Sequence, residues 1–324
     1  MATTTTGSRA ESSGNALSGT TRWGDRLFAG LSAGSGVVVV ALIAAVGVFL
    51  LAQALPALAK NHANFLTDRV WEVSGTPVRF GIPDLLWVTV LSSVVAMALA
   101  VPVAIAVALY LTQYAPARLA RLFASLVDLL AAVPSIVYGL WGARLLLGPV
   151  TPVQDWTQAH LGWFPLLSSD GAVSTGTVFL ASLVLAVMIL PIITAISREV
   201  FAQTPATHKE GALALGATRW EMIRTAVLPF GLPGVVSASM LGLGRALGET
   251  IAVTLILSTT SGFSVSLFSG GETFASKIAN NAAEFDSPTK AGAYIAAGLV
   301  LFVLTFLVNA MARVVIERRK AFTE

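Results

Sequence analysis

The sequence predicts an all-α membrane protein that crosses the bilayer six times. Only 11% of its 324 residues are charged, 55% are apolar and mean hydropathy is +0.79, whereas about a quarter of the residues in a soluble domain are charged. Six apolar segments each approach or exceed the roughly 20 residues that cross a bilayer. They are too long and too uniformly apolar for barrel strands, so we expect helices, in which the backbone satisfies itself in lipid. They run approximately over residues 27–55, 85–111, 122–147, 175–196, 226–257 and 293–312.

The rest of the chain predicts one domain with a tail. Residues 1–26 are rich in Ser, Thr and Gly and cannot bury a core, which predicts a disordered tail. Residues 27–324 contain no polar segment large enough to fold alone, so we expect a single transmembrane domain there. The first apolar segment is longer than the apolar region of a signal peptide, and we therefore expect a retained helix.

The distribution of basic residues predicts the orientation in the membrane. With a cytoplasmic amino terminus, 13 of the 20 Lys and Arg residues fall in cytoplasmic segments and five in outer ones. Both termini are therefore expected in the cytoplasm of a multi-pass cell-membrane protein. The net charge of +3 and pI near 9.4 come from residues spread over loops, not from a basic patch that would bind nucleic acid.

The connection between the fourth and fifth segments, residues 204–228, predicts a cytoplasmic helical hairpin. Thr204 can cap its first helix, and Gly216 can end that helix in the left-handed conformation. Thr218 and Glu221 have the spacing of a capping box, which starts a second helix. The first helix has a modest apolar edge that suits either a protein partner or lipid headgroups.

The stretch GLGRALGET, residues 242–250, places Arg245 and Glu249 inside the fifth apolar segment. On a continuous helix these side chains share a face with the small residues Ala238, Gly242 and Ala252, which predicts room for water or substrate. A charge at a helix centre costs about 2.5–3.5 kcal/mol, and an i,i+4 ion pair in water recovers only about 0.2–0.5 kcal/mol.

Three interpretations of this charge pair remain open from the residues alone. A transport path uses the pair to contact or gate an anion; a buried salt bridge only fixes helix packing. An ion-coupled secondary transporter would use Arg245 and Glu249 as a relay, although no inverted repeat supports it. Gly244 and Gly248 form a small-xxx-small pair, so together with Gly242 they predict close helix packing.

Two further features concern the third segment. Pro134 and Ser135 should kink that helix, with Ser135 returning a hydrogen bond to the freed backbone. Asp128 lies six residues before Pro134 and is expected near the cytoplasmic interface, although it could instead pair with a basic residue of a neighbouring helix.

Motifs for ATP, metal and thiol chemistry are absent from the sequence. It contains no Walker A string and no cysteine, and its three histidines are scattered. We therefore expect no enzyme activity, cofactor or metal in this chain, so ATP would be handled by another subunit.

The hairpin resembles the EAA loop of ABC importer permeases. Glu210-Gly211-Ala212, Gly216 and Leu228-Pro229 match its spacing, although Gly211 replaces the first alanine and Ala226 replaces an isoleucine. In that family the short helix fits a groove on the ATPase subunit. The resemblance therefore implies the same coupling role for these residues.

A second pair of motifs narrows the resemblance. VPSIVYGLWG, residues 133–142, together with GLGRALGET is similar to the permeases of phosphate importers, and in particular to the PstC type. The motifs identify the class more specifically than they separate PstC from its partner permease PstA. The resemblance covers roughly residue 85 to the carboxyl terminus, and it implies the all-α, MetI-like permease fold.

The resemblance also implies a substrate path and partners. Arg245 would contact phosphate transiently, Glu249 would tune that contact, and Ser135 and Tyr138 would line the path. The partners implied are a second permease resembling PstA, an ATPase dimer resembling PstB and an external phosphate-binding protein resembling PstS. That external protein would dock on loops at residues 56–82, 148–174 and 258–290.

Overall fold

The computed structural model describes residues 23–168, 176–260 and 262–320, and nearly all of its regular structure is helical. One short antiparallel ribbon pairs β1 (Trp71–Glu72) with β2 (Arg79–Phe80). Short π-helical turns at Tyr110–Tyr114, Gly142–Leu146 and Ile223–Val227 adjoin α2, α4 and α8. The α-helices are α1 Trp23–Ala59, α2 Pro83–Leu109, α3 Ala117–Ala131, α4 Ser135–Trp141, α5 Leu147–Leu161, α6 Val178–Ala202, α7 Ala206–Ala214, α8 Arg219–Met222, α9 Leu228–Leu247, α10 Ile251–Ile256, α11 Phe274–Asn280 and α12 Pro288–Lys320.

Six helical segments are long and apolar enough to cross a membrane, which confirms the all-α, six-span prediction. Four of them contain or closely overlap the expected first, second, fourth and sixth segments, and the third and fifth differ as described below. The six are Trp23–Ala59, Pro83–Tyr114, Ser135–Leu161, Val178–Ala202, Arg219–Leu247 and Pro288–Val314.

The third predicted segment, 122–147, is wrong as one continuous helix. The structure ends α3 at Ala131 and begins α4 at Ser135, so the expected kink is a complete break. Pro134 has no N–H to donate and disfavours helical backbone in the residue before it, which explains the interruption. Helix α5 then occupies 147–161, where a loop was expected.

The fifth predicted segment, 226–257, is also interrupted. Helix α9 ends at Leu247, and α10 begins at Ile251 after a gap that contains Glu249. Gly248 is a poor helix former, and no apolar side chain at that position can hold the helix together by packing. The break was not predicted because the mean hydropathy of the segment stays high across it.

The chain divides into two units, Met1–Val48 and Phe49–Glu324, and the boundary falls within α1. In the first unit, the described part of α1 is apolar and its side chains are exposed. Helix α1 begins at Trp23, so the last four residues of the expected tail are helical. The other tail residues, 1–22, lie outside the described part of the chain.

Helix α6 is the centre of the second unit. Fourteen of its 25 residues are buried, and α2 and α9 pack against it. Helix α9 runs antiparallel to α6: a Cβ at Gly234 would lie 2.5 Å from Val200, and a Cβ at Gly242 would lie 2.8 Å from Ile193. The absence of a side chain at Gly234 and at Gly242 therefore lets the backbones of α9 and α6 approach closely.

The two ends of α6 carry different structures. The hairpin of α7 and α8 follows its last turn, whereas the loop after α10 is hydrogen-bonded to its first turn. There the N–H of Val178 donates to the carbonyl of Ser269 at 2.9 Å, and the N–H of Phe179 donates to that of Leu267 at 2.8 Å. The hairpin and this loop consequently lie at opposite ends of the helix.

Candidate functional site

The first motif, residues 133–142, meets the helix that follows the second motif, where α4 packs against α10. A Cβ on Gly139 would lie only 2.7 Å from the Cα of Ala252, so these backbones are in direct contact. Any larger residue at Gly139 would force the helices apart. The contact brings together segments that are more than 100 residues apart in the sequence.

Glu249 lies in the break between α9 and α10 and is 9% exposed. One carboxylate oxygen, Oε1, accepts a hydrogen bond from the N–H of Ala252 at 3.1 Å. That N–H belongs to the first turn of α10, where the helix has unpaired donors and a positive dipole end. The carboxylate therefore caps α10.

Arg245 occupies the last turn of α9 and is half-buried. It makes neither a hydrogen bond nor an ion pair with the described residues, although its charge acts electrostatically on Tyr138. The expected ion pair with Glu249 is therefore wrong. The break at residues 248–250 removes the helical geometry that would bring the two side chains together.

The depth of Arg245 follows from its neighbour one turn earlier. Gly242 packs against Ile193, which lies near the middle of α6. Arg245 is thus close to the middle of the bundle along the helix axes, away from both ends of α6. Cations favour the carboxyl-terminal end of a helix, which partly compensates the cost of this position.

The predicted room for water or substrate beside this stripe of α9 is wrong for Ala238 and Gly242. Ala238 and Gly242 are buried, and Gly242 faces α6 instead of an open channel. The small residues of that stripe pack against other helices. Arg245 is the one residue of the stripe that is partly exposed in the described structure.

The two candidates on α4 have different surroundings. Tyr138 is buried, and its hydroxyl donates to the carbonyl of Leu130 at 2.8 Å, so it bridges the break before α4. Ser135 is half-buried at the start of α4, and its hydroxyl makes no hydrogen bond within the described residues. The expected return bond from Ser135 is therefore wrong, and Tyr138 makes a contact of that kind instead.

Most of the local predictions for the hairpin are confirmed. Gly216 has φ +85°, and the N–H of Ala217 donates to the carbonyl of Ala212 across the end of α7. The hydroxyl of Thr218 accepts from the N–H of Glu221 at 3.3 Å, and the Glu221 carboxylate accepts from the N–H of Thr218 at 2.7 Å. These reciprocal bonds form the capping box.

The predicted cap of α7 is wrong. Pro205 holds the N-cap position and no side chain caps the helix, while the Thr204 hydroxyl is buried without a partner among the described residues. The hairpin nevertheless presents a largely exposed surface. Leu215 at its tip is 91% exposed, and Glu210 and Gly211 are also exposed.

The hairpin is anchored to the bundle through its second helix. Leu228 and Pro229 begin α9, immediately after the π-helical turn that follows α8. Met222 and Ile223 are buried in a cluster with Phe201 of α6. The hairpin is therefore joined, through the chain and through this buried cluster, to the helix that carries Arg245.

Residues 100–321 match the family model described as "Binding-protein-dependent transport system inner membrane component". The chain belongs to this family. It is 54% identical to the Mycobacterium tuberculosis protein named "Phosphate transport system permease protein PstC 2" over 91% of this chain and 92% of that protein. It is 55% identical to the Mycobacterium leprae protein named "Phosphate transport system permease protein PstC" over 83% and 85%, respectively.

A solved structure shares the fold of this inner-membrane component. The structure is titled "Inward facing conformations of the MetNI methionine ABC transporter: CY5 native crystal form" and matches with a TM-score of 0.52 at 17% identity. The match covers 72% of this chain and 94% of that chain. The expected MetI-like permease fold is therefore confirmed.

Two glycines of this inner-membrane component remain unexplained by contacts within the chain. A Cβ at Gly244 would meet nothing within 4 Å, and a Cβ at Gly248 would meet only the carbonyl of Gly244, at 3.5 Å. No described atom outside α9 comes within 4 Å of either Cβ position. The expected role of these glycines in close helix packing stays a prediction.

Asp128 was expected near the cytoplasmic interface, with pairing to a basic residue as the alternative, and the structure shows that pairing. Arg198 Nη2 lies 3.4 Å from Asp128 Oδ2, which connects α3 to the end of α6 next to the hairpin. The apolar surroundings of Asp128 were visible in the sequence. The partner, 70 residues away, required the packing of α3 on α6.

Proposed function

We propose that this chain is the permease subunit of an ATP-driven ABC importer of inorganic phosphate, that it forms half of the translocation path, and that it couples to a separate ATPase. Family membership supports a permease in a membrane transport system. Phosphate is supported by the names of relatives that are more than 50% identical over most of both chains.

The observation that carries the mechanism is the position of Arg245. Arg245 lies one turn from Gly242, which packs against the middle of α6, and its guanidinium has no acceptor among the described residues. Arginine presents a planar fork of donors that matches phosphate oxygens, and it stays charged at any relevant pH. Arg245 therefore contacts or gates the anion during its passage.

The other site residues have supporting roles in this proposal. Glu249 holds the start of α10, and its negative charge lowers the positive potential around Arg245, so that the anion binds weakly enough to leave. Ser135 and Tyr138 line the path on the α4 side, where the free hydroxyl of Ser135 can hydrogen-bond to the passing anion.

The hairpin provides the contact with the ATPase. With both termini in the cytoplasm, the exposed surface around Glu210, Gly211 and Leu215 faces an ATPase dimer resembling PstB. Closure of that dimer would move α8 and α9 together, because the buried cluster around Met222 joins them.

The remaining partners occupy other surfaces. A second permease resembling PstA packs against the open face of Gly244 and Gly248 and completes the path. An external phosphate-binding protein resembling PstS docks at the opposite end of the bundle, on loops that include residues 258–273.

Phosphate uptake by the chain with its copurified subunits tests this function. In proteoliposomes, uptake of radiolabelled phosphate should require ATP and the external binding protein and should persist after ionophores dissipate the ion gradients. Uptake that stops with the gradients and ignores ATP would instead identify the ion-coupled secondary transporter.

Arg245→Gln tests the mechanism within the same assay. The variant should lose phosphate uptake while it still copurifies with its partners. Arg144→Gln is the matched control, because Arg144 is exposed in the π-helical turn after α4 and should tolerate the change. Failure of the Arg245→Gln complex to assemble would assign Arg245 a packing role and contradict the mechanism.

A further inference from the structure

A cavity of about 250 Å³ opens at the end of the bundle opposite the hairpin. It lies beneath the loop after α10 and next to the first turn of α2. Four charged residues line it, namely Arg69, Asp84, Glu272 and Lys277. Its volume suits a small hydrated ion, since pockets for drug-sized ligands are about 300–1,000 Å³.

Two of the four charges neutralise each other. Lys277 Nζ lies 2.7 Å from Glu272 Oε2, and both side chains are largely buried. Asn280 also donates to the second oxygen of Glu272, at 3.3 Å. Lys277 and Glu272 are therefore already paired with each other. The charges still available to a ligand are those of Arg69 and Asp84.

Arg69 faces the cavity with unused donors. Its guanidinium stacks over the ring of Phe263 at 3.8 Å, which fixes the group without occupying its N–H bonds. Arg69 makes no hydrogen bond or ion pair with the described residues. Arg69 is exposed, and its guanidinium has five N–H donors and no acceptor, so these donors are available to a ligand that accepts hydrogen bonds.

Asp84 has the opposite requirement. It lies in the first turn of α2, where a negative charge is favourable, but its Oδ1 atom is buried without a donor among the described residues. The helix dipole favours a negative charge at Asp84, but it does not provide the hydrogen-bond donor that the buried Oδ1 atom lacks. Asp84 and Arg69 are also too far apart to form an ion pair within 4 Å.

We propose that this cavity binds a small oxyanion that still carries a proton, such as hydrogen phosphate. The oxyanion would accept hydrogen bonds from Arg69 through its unprotonated oxygens and donate its O–H to Asp84. The choice of phosphate rests on the proposed function, in which the cavity faces the outside and receives the substrate before Arg245 does.

The same pair of residues makes the site selective. Inorganic phosphate keeps at least one proton at neutral pH, whereas sulfate of nearly the same size keeps none. An ionised carboxylate only accepts hydrogen bonds, so sulfate would leave Asp84 facing like charge without a bond. The cavity should therefore bind phosphate and reject sulfate.

The absence of cysteine allows a direct binding test that does not depend on transport. Thr260 lines the cavity and is exposed, so Thr260→Cys introduces a single reactive thiol there. Ser74→Cys, on an exposed residue outside the cavity lining, is the matched control. The rate of N-ethylmaleimide modification is measured on the full-length chain with its copurified subunits in nanodiscs.

Phosphate should slow modification of Thr260→Cys, and sulfate at equal ionic strength should leave the rate unchanged. Neither anion should affect Ser74→Cys. In the Thr260→Cys background, Arg69→Gln should lose the protection by phosphate and Arg69→Lys should retain part of it. Asp84→Asn should allow sulfate to protect as well as phosphate does, because an amide can donate.

Equal protection by both anions, or protection by neither, would overturn the proposal. Unchanged copurification with the partner subunits shows that each variant is folded. Because the readout is binding at the cavity, its result is separable from that of Arg245→Gln. A failed uptake test would not change the binding result at the cavity. A failed binding test at the cavity would not change the uptake result.

Discussion

The carboxylate of Glu249 accepts a hydrogen bond at 3.1 Å from the backbone N–H of Ala252, across the break between α9 and α10. Arg245, the oppositely charged residue nearest to Glu249 in the sequence, does not take part. The stabilising role of Glu249 is thereby separated from any effect of its charge on an anion, and each can be tested alone.

Glu249→Gln and Glu249→Ala should separate these two roles. The amide oxygen of Gln can still accept from Ala252, whereas Ala leaves the first turn of α10 uncapped and should cost about 0.5–2 kcal/mol of stability. The thermal unfolding temperature in nanodiscs should therefore be lower for Glu249→Ala and close to the wild-type value for Glu249→Gln. Equal destabilisation by both changes would show that the cap does not depend on the oxygen acceptor.

Phosphate uptake by the stable Glu249→Gln variant then reports on the charge. If the carboxylate weakens anion binding at Arg245, Gln should slow uptake by retaining the anion longer. An unchanged uptake rate would remove the charge of Glu249 from the mechanism.

Gly139→Ala should disturb the contact between α4 and α10. The new Cβ would lie 2.7 Å from the Cα of Ala252, and relief of such overpacking typically costs about 1–3 kcal/mol. A lower unfolding temperature and reduced uptake are expected. Gly34→Ala in α1 is the control, because a Cβ there meets nothing within 4 Å. A drop of equal size in the control would mean that the loss does not come from the α4–α10 contact.

Gly244→Leu should act on assembly and leave the fold of the chain intact. A Cβ at Gly244 has no neighbour within 4 Å, so the isolated chain should unfold at its usual temperature. A leucine would, however, keep a partner helix at a distance. Loss of the second permease on copurification is the expected result. Intact assembly would place the partner elsewhere.

Leu215→Asp should release the ATPase without destabilising the chain, because Leu215 is 91% exposed at the tip of the hairpin. Copurification of the ATPase and ATP-dependent uptake should both be lost. Leu66→Asp is a matched control, since Leu66 is 68% exposed but lies in the loop before β1. Retention of the ATPase by Leu215→Asp would contradict the proposed docking surface.

The sequence predicted best those features that depend on local chemistry. Gly216 was identified by its freedom to adopt positive φ, and the Thr218 and Glu221 box by residues three apart. The predicted cap by Thr204 failed although the residue type was suitable, because Pro205 takes the N-cap position and the Thr204 hydroxyl is buried without a partner among the described residues.

The breaks within the third and fifth segments could not be predicted from hydropathy. A window average stays apolar across residues 132–134 and 248–250, whereas the backbone there is decided by single residues and by contacts from distant helices. The pairing of Arg245 with Glu249 assumed an unbroken helix. The cavity at Arg69 combines residues from two distant regions of the chain, 69–88 and 260–277, and no local pattern marks it.

The hydrogen bonds from Val178 and Phe179 to the loop after α10 have a dynamic consequence. They clamp the loop onto the first turn of α6, and their amide protons should exchange slowly with solvent while the clamp is closed. Each bond is worth only about 1 kcal/mol net, and the N–H of Leu267 also donates to the carbonyl of Leu166 at 2.8 Å. Deuterium uptake at the Val178 and Phe179 amides would measure how often the loop separates from α6.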